Sequence, residues 1–283
     1  MNSMPLIAVD IGNARMKLAF FHREQNEGVP EPESLLTLQG SLPAWGRLQP
    51  WLDELGHGQL HWFIGSVNRP AATKLLDWLR ANRPADPATM LAAGDLPLEV
   101  RLDRPDMVGI DRLLDALAAK HFRQTDRPAV VVDVGSAITI DLIDADGAFL
   151  GGSILPGIEM SARALHEYTD LLPQIAMAEL DTPPPVLGTS TIPAMRSGLF
   201  WGMVGAVRQL TEKLAEQTSG DAEVFLTGGA GKILAELLGA HAQHVPQLTL
   251  AGIALAARHE LELKGDRLLY RQARGRPPKN QTK

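Results

Sequence analysis

The stretches PLIAVDIGNA (5–14) and PAVVVDVGSA (128–137) decide the fold, because they are two copies of one pattern at a constant offset of 123 residues. Each copy is a short apolar run, then Asp, any residue, Gly and a small polar residue. A second strand-like run follows, at 16–21 and 138–143. Apolar runs joined by a Gly-containing turn are typical of β-hairpins. The repeat predicts two domains of like fold, each beginning with the same hairpin.

Further strand and helix patterns alternate behind both hairpins, which predicts two α/β lobes with mixed sheets. Strands are expected at 60–67, 149–155 and 223–226, and helices at 71–79, 110–122, 158–168, 194–215 and 231–238. We expect an N-terminal lobe at 1–124, a C-terminal lobe at 125–247, a C-terminal helix at 248–263 and a basic, disordered tail at 264–283.

Composition excludes several classes of protein. The 283 residues are 45% hydrophobic and 21% charged, which is typical of globular proteins. Without cysteine there are no disulfides, thiolate metal sites, iron–sulfur clusters or cysteine nucleophiles. The apolar runs are too short to span a membrane, and the N-terminus lacks the basic region of a signal peptide. We expect a cytoplasmic protein.

Charge is unevenly distributed. The net charge is −6, but residues 263–283 carry seven Lys or Arg and one Asp, so the rest of the chain is strongly acidic. An acidic body is not typical of a nucleic-acid-binding protein. Gly275-Arg276-Pro277 resembles the core of an AT-hook, but one tripeptide in a solubilising tail does not predict DNA binding.

The hairpin turns have residues suited to phosphate binding. Glycine allows a ligand to approach the backbone N–H groups, and Asn13 and Ser136 can donate to phosphate oxygens. Asp10 and Asp133 can hold Mg²⁺ through water, or another cation. Two such turns facing across a cleft would bind the β- and γ-phosphates of a nucleotide. The alternative is that both glycines serve hairpin geometry alone.

Two other motifs could carry chemistry. VGIDR (108–112) places Asp111 in the first turn of a helix, where it either complements the helix dipole or acts as a general base with Arg112 holding an anionic group. FLTGGAG (225–231) predicts a strand and a Gly-rich turn, in which Gly228 and Gly229 would contact a nucleotide. It is not a Walker A loop, because Leu226 and Ile233 stand where that motif needs Gly and Ser or Thr.

Together these motifs resemble the superfamily of acetate and sugar kinases, Hsc70 and actin. Its members have two ribonuclease H-like lobes with mixed sheets, and the nucleotide lies in the cleft between the lobes. Within it, residues 6–262 resemble the type III pantothenate kinases. The matching stretches are DIGNARMK (10–17), VGIDR (108–112), DVGSAITID (133–141), GGSILPGIEMSARAL (151–165), TSTIPAMRSG (189–198) and TGGAGK (227–232).

The resemblance implies ATP-dependent phosphorylation of the terminal hydroxyl of pantothenate, the first step of coenzyme A synthesis. It implies a homodimer with pantothenate near the subunit interface. Asp133 would hold K⁺ or NH₄⁺, and Asp111 would accept the proton. Residues implied to contact pantothenate are Gly109, Ile110, Asp111, Arg112, Thr191 and the position of Leu102. Those implied to bind ATP with Mg²⁺ are Asp10, Ile11, Gly12, Asn13, Ala14, Arg15, Met16, Lys17 and Ser136.

Three positions depart from the usual family pattern. Ala14 lacks the hydroxyl common there, Ser136 replaces a Thr, and Leu102 replaces an aromatic residue. Two alternatives stay open: a catalytically weak or inactive nucleotide-binding regulatory homologue, and a kinase for another small molecule on the same scaffold. For Asp111, the helix N–H groups and Arg112 predict a lowered pKa.

Overall fold

The computed structural model describes residues 4–22, 28–39, 45–175 and 182–274, with side chains described up to residue 263. The first sheet contains β1 (Leu6–Ile11), β2 (Arg15–Phe21), β3 (Ser34–Gln39), β4 (His61–Ser66) and β5 (Ala88–Met90), in the spatial order β3-β2-β1-β4-β5. β1 pairs antiparallel with β2 and parallel with β4. The sheet is therefore mixed, with its hairpin on one side.

The second sheet repeats this topology. It contains β6 (Ala129–Val134), β7 (Ala137–Ile143), β8 (Phe149–Pro156), β9 (Glu223–Gly228) and β10 (Ala242–His244), in the order β10-β9-β6-β7-β8. β6 pairs antiparallel with β7 and parallel with β9, as β1 does with β2 and β4. The repeat of the sequence is therefore a repeat of the fold.

Helices cover one face of each sheet. On the first sheet, α1 (Trp45–Leu55) and α2 (Arg69–Asn82) pack their apolar side chains against one set of alternating strand residues. On the second, α5 (Thr191–Ala215) and α6 (Gly231–Leu238) do the same, and α4 (Ile158–Glu167) packs beside α5. Alternation along a strand points successive side chains to opposite faces, so each sheet has a second apolar face to bury.

The second faces are buried by α3 (Ile110–Phe122) and α7 (Leu248–Arg274), which lie between the sheets. α7 packs on β1, β2 and β4, whereas α3 packs on β6, β7 and β4. The two helices nearly touch through their backbones, since a Cβ at Gly252 would lie 2.1 Å from the carbonyl oxygen of Leu114. One apolar core therefore joins both lobes and fixes the start of α3 between them.

The C-terminal helix is longer than predicted. α7 continues past residue 263 to Arg274, because residues 264–274 contain no proline and include helix-forming Leu, Arg and Ala residues. The first part of the predicted disordered tail is therefore helical. The AT-hook-like tripeptide lies outside the described residues. No helix in the described part of the chain is long and apolar enough to cross a bilayer.

Candidate active site

The two hairpin turns place Asp10 and Asp133 at equivalent ends of β1 and β6. In both hairpins the glycine N–H of the turn donates a 3.0 Å hydrogen bond to a carbonyl of the second strand. Asp10 lies opposite Lys17 in the first hairpin, and Asp133 lies opposite Thr139 in the second. The two carboxylates therefore lie at equivalent strand ends, in hairpins that differ by one residue in length.

Lys17 is the cation between these two carboxylates. Its Nζ lies 3.8 Å from Oδ2 of Asp10, and its charge also acts to lower the pKa of Asp133. The hairpin residues before Lys17 differ in their exposure to solvent. Ile11 and Met16 are buried in the core of the first sheet, so only their backbone faces the turn, whereas Asn13, Ala14 and Arg15 are exposed.

Asp111 brings a third carboxylate to the same place from the first turn of α3. Its Oδ1 accepts a hydrogen bond of 2.9 Å from the backbone N–H of Arg112. The charge of Asp111 raises the pKa of Asp10 and that of Asp133, so the three carboxylates lie within electrostatic reach of one another. The structure thus brings together three acids that are far apart in the sequence.

Burial dominates the electrostatics of this cluster. Desolvation raises the pKa of Asp10 to about 6, and the neighbouring Lys17 offsets only part of that effect. Burial and the nearby charges of Asp10 and Asp111 likewise raise the pKa of Asp133. Removing carboxylates from water disfavours their charged form. The cluster therefore favours any ligand that supplies positive charge.

The prediction of a lowered pKa for Asp111 is wrong. The helix N–H groups and the Arg112 charge act to lower this pKa as expected, but desolvation outweighs them and raises it. The guanidinium of Arg112 forms its ion pair with Asp141 on β7. A raised pKa makes Asp111 a better proton acceptor than the sequence alone indicates.

A fourth acid, Asp115, lies one turn further along α3. It is buried, the hydroxyl of Thr249 on α7 donates to it, and its Oδ1 has no hydrogen-bond partner among the described residues. Burial, with the charges of Asp133, Asp111 and Asp10, raises its pKa well above the ordinary value. Its position four residues after Asp111 on an apolar helix face was a signal that the sequence offered and that our prediction did not use.

The Gly-rich turn after β9 joins this cluster. Gly228 has a φ of +85°, and a Cβ there would lie 2.4 Å from Oδ1 of Asp133. From the first hairpin, the Arg15 guanidinium reaches the other side of the turn, with its nitrogens 3.7 and 3.8 Å from the Cβ position of Gly229. Residues of both lobes thus meet at this turn.

The remaining predicted site residues are Ser136, Leu102 and Thr191. Ser136 is exposed in the second turn, next to the Asp133 strand, and its carbonyl accepts the N–H of Gly157 at 3.1 Å. Leu102 packs on Gly151 at the start of β8. Thr191 begins α5, and its side chain is exposed on a helix that packs on β6, β7, α4 and α6.

A family model described as type III pantothenate kinase matches residues 6–213 of the chain. Relatives named type III pantothenate kinase include one from Paramagnetospirillum magneticum, 44% identical over 50% of this chain and 53% of its own length. A second, from Acidiphilium cryptum, is 39% identical over 69% of this chain and 71% of its own. A third, from Chlorobaculum parvum, is 34% identical over 89% of this chain and 94% of its own. The chain thus spans about half the length of the first of these relatives and nearly all of the third.

Solved structures bear out the predicted fold. A propionate kinase from Francisella tularensis superposes with a TM-score of 0.50 and 11% identity, covering 90% of this chain and 99% of that one. A Sinorhizobium meliloti protein assigned as a 2-dehydro-3-deoxygalactonokinase gives a TM-score of 0.51 at 17% identity, covering 89% and 98%. At such identities the likeness concerns the fold alone, and it confirms the two-lobed arrangement.

Proposed function

The chain belongs to the type III pantothenate kinase family, and from this premise we propose that it transfers the γ-phosphoryl group of ATP to the terminal hydroxyl of pantothenate. The product would be 4′-phosphopantothenate, in the first step of coenzyme A synthesis. The observation that carries the proposal is that Asp111, in the first turn of α3, lies within electrostatic reach of Asp10 and Asp133 at the ends of the two hairpins, where Lys17 pairs with Asp10. Phosphoryl transfer depends mainly on positioning and on compensation of charge.

In this proposal the two hairpin turns bind the phosphates of ATP from both lobes. Lys17 and Arg15 supply positive charge from the first lobe, and the hydroxyl of Ser136 supplies a donor from the second. Gly229 faces Arg15 across the cleft, so a phosphate held there contacts both lobes at once. Ala14 contributes no hydroxyl, which leaves the backbone of its turn to do the binding.

Asp10 and Asp133 are suited to hold cations beside the phosphates. Within the described residues no group of three or more His, Asp or Glu side chains could hold a metal ion by itself. Mg²⁺ fits nonetheless, because it is usually bound by one or two carboxylates together with phosphates and water. Both carboxylates are partly buried, and their desolvation has a cost that a cation offsets. We assign Mg²⁺ to Asp10 and a monovalent cation, K⁺ or NH₄⁺, to Asp133.

Asp111 is the proton acceptor in this proposal, and Gly109, Ile110 and Arg112 contact the acceptor substrate. The hydroxyl oxygen of pantothenate attacks the γ-phosphorus, and the bond from that phosphorus to the β–γ bridging oxygen breaks, which releases ADP. The hydroxyl proton passes to Asp111. The bound Mg²⁺ would supply charge neutralisation at the phosphate oxygens.

A homodimer is the second part of the proposal. Large exposed apolar side chains gather on β8, on α4 and on the segment before α5, where Tyr168 and Leu171 are each 85% exposed and Leu187 is 81% exposed. Exposed apolar surface of this kind marks interaction sites. Thr191 is exposed at the start of α5, four residues after Leu187, so a second copy docking on this segment would bring its own residues to Thr191.

Leu187→Glu tests the dimer. We expect the variant to sediment as a monomer and to show a raised KM for pantothenate, while the wild-type chain sediments as a dimer. A monomeric wild-type chain that is fully active would contradict this part of the proposal.

The activity is tested by ADP release from purified protein with ATP, Mg²⁺ and K⁺, with and without pantothenate. Release that depends on pantothenate supports the proposal. Release only with another acceptor would indicate a different small-molecule kinase, and no release with any acceptor would indicate a regulatory nucleotide-binding homologue. A full rate in Na⁺ buffer free of K⁺ and NH₄⁺ would contradict the role assigned to Asp133. Cytoplasmic location and the absence of nucleic-acid binding stay predictions.

A further inference from the structure

The ion pair between Arg112 and Asp141 is built into the start of α3 and is not used by the reaction just described. Asp141 lies in the middle of β7, and its two carboxylate oxygens each accept a hydrogen bond of 3.1 Å from Arg112 Nε. Arg112 Nη2 also donates to Oδ1. The side chains are only 14% and 3% exposed, respectively, so solvent does not compete for this contact.

The pair fixes which edge of Arg112 is left for a ligand. A guanidinium has five N–H donors in a planar fork, and Asp141 occupies the edge formed by Nε and Nη2. No described residue accepts a hydrogen bond from Nη1. The ring of Phe149 lies 5.6 Å from the central carbon of the guanidinium and covers one face. Arg112 is thus held against rotation in its plane and against tilting out of it.

The neighbouring strand β8 leaves space for this ion pair at Gly152. Gly152 lies opposite Asp141 in the β7–β8 register. A Cβ at this position would be 2.6 Å from Asp141 Oδ1 and 2.0 Å from the carbonyl oxygen of Ile140. The hydroxyl of Thr139, two residues earlier on the same face of β7, also donates to Asp141. Arg112 and Thr139 therefore hold the Asp141 carboxylate by hydrogen bonds, and Gly152 leaves room for it.

We propose that Asp141 is a positioning residue for the acceptor substrate: it holds Arg112 so that only the Nη1 edge meets an anionic or hydroxyl group of that substrate. It also ties the first turn of α3, and with it Asp111, to the second sheet. The proposal rests on the proposed function, in which Arg112 contacts pantothenate. Asp141 itself touches no substrate in this arrangement and acts through Arg112.

A purely structural ion pair is the competing explanation, and the chain offers a matched control for it. Arg83 and Asp86 form a buried pair in the first lobe, with side chains 18% and 2% exposed and a distance of 2.8 Å between Nε and Oδ2. Asp86 also accepts hydrogen bonds from Trp62 Nε1 and from the backbone N–H of Leu60. It matches Asp141 in burial and partners but lies away from the candidate site.

The experiment compares Asp141→Asn with Asp86→Asn in the full chain. Removing one partner of a buried pair destabilises a protein, so both variants should unfold at lower temperature. Small displacements of a substrate-positioning group cost up to about 100-fold in rate. We expect Asp141→Asn to lower kcat/KM for pantothenate about 10–100-fold per folded molecule with KM for ATP unchanged, and Asp86→Asn to change neither.

A second variant keeps the test informative if Asp141→Asn does not fold. Thr139→Val retains both charges of the pair and removes only the hydroxyl that donates to Asp141. It should raise KM for pantothenate about 2–5-fold, in the same direction and to a smaller extent. Wild-type-like constants in both folded variants, or a shift confined to ATP, would overturn the positioning role alone. A wild-type chain without pantothenate-dependent ADP release would overturn the proposed function and this inference with it.

Discussion

The carboxylate of Asp133 lies against the α-carbon of Gly228, so that the end of β9 and the turn after β6 form a single surface. Glycine is required at residue 228 for two reasons. Its φ of +85° is a conformation that side chains rarely adopt, and a Cβ would lie 2.4 Å from Asp133 Oδ1 and 2.5 Å from the carbonyl oxygen of Val134. The position of the Asp133 carboxylate therefore depends on the absence of a side chain at residue 228.

Gly228→Ala is expected to displace Asp133 and raise KM for ATP at least about 10-fold, with a loss of about 1–3 kcal/mol in the free energy of unfolding from strain. Gly239→Ala is the matched control, because residue 239 has a φ of +94° but no atom within 4 Å of its Cβ position. The control should lose stability with unchanged KM for ATP. Equal kinetic constants in the two variants would contradict the close contact.

Asp111→Asn removes the carboxylate that we propose as the proton acceptor while keeping the size of the side chain. We expect kcat to fall about 10²–10⁴-fold, the usual range for loss of a general base, with little change in KM for ATP. Asp95→Asn is the control, since Asp95 also accepts a backbone N–H near the start of a helical turn, at 2.8 Å from the N–H of Ala92, but is exposed. If Asp111→Asn unfolds more easily while turnover per folded molecule is intact, Asp111 serves the helix end alone.

We expect Asp115 to lower the free energy of unfolding of the protein as the pH rises. A carboxyl whose pKa is raised by folding contributes stability at acidic pH, below its ordinary pKa, and that contribution is lost as pH rises through the raised value. Asp115→Asn, which can still accept from Thr249, should therefore gain stability relative to wild type as the pH rises above the ordinary pKa of an aspartate, by about 1–3 kcal/mol at alkaline pH.

Urea denaturation at each pH measures this difference. Asp77→Asn is the control, because Asp77 is 62% exposed in a surface pair with Arg80, and its effect should stay flat across the range. A constant difference between Asp115→Asn and wild type would show that Asp115 has the same charge in the folded and unfolded chains throughout.

Gly252→Ala should disrupt the contact between α3 and α7, because a Cβ would lie 2.1 Å from the backbone oxygen of Leu114. We expect a loss of at least about 2 kcal/mol in the free energy of unfolding, in the upper range of overpacking effects. Gly205→Ala on α5, where no atom lies within 4 Å, should instead gain about 0.5–1 kcal/mol. Thermal unfolding of both variants tests the contrast, and a stable Gly252→Ala would contradict the backbone contact.

The fold could be predicted because the sequence patterns that determine it are local, and the hairpin pattern occurs twice. The hairpins at Asp10 and Asp133 combine an apolar run with an obligatory turn, and the helix at 110–122 has strict apolar spacing. Elements without such patterns were missed: α1 contains Pro50, β5 and β10 are three residues long, and β3 has only two buried positions. Short or interrupted elements owe their structure to neighbouring strands and not to their own sequence.

The site was predicted less completely because its electrostatics depend on contacts that no local pattern shows. The sequence places Arg112 next to Asp111, which suggested mutual stabilisation, yet the guanidinium pairs with Asp141 on another element. The raised pKa of Asp111 follows from burial between two lobes. Family membership was confirmed by comparison. The roles of the individual residues remain predictions that the variants above can test.

Because α7 packs on β1, β2 and β4, the first sheet is synthesised well before the helix that packs on it. The inner face of the first sheet, with Ala8, Ala19 and Phe63, is covered mostly by residues from 248 onward, and α3 packs on β4 as well. At about 5–20 residues per second, the ribosome finishes β4 roughly 10–40 s before it has made the helix that covers it. The nascent first lobe must keep this apolar face exposed for that time. We expect this surface to bind chaperones, and a chain that stops before residue 248 cannot cover the inner face of the first sheet.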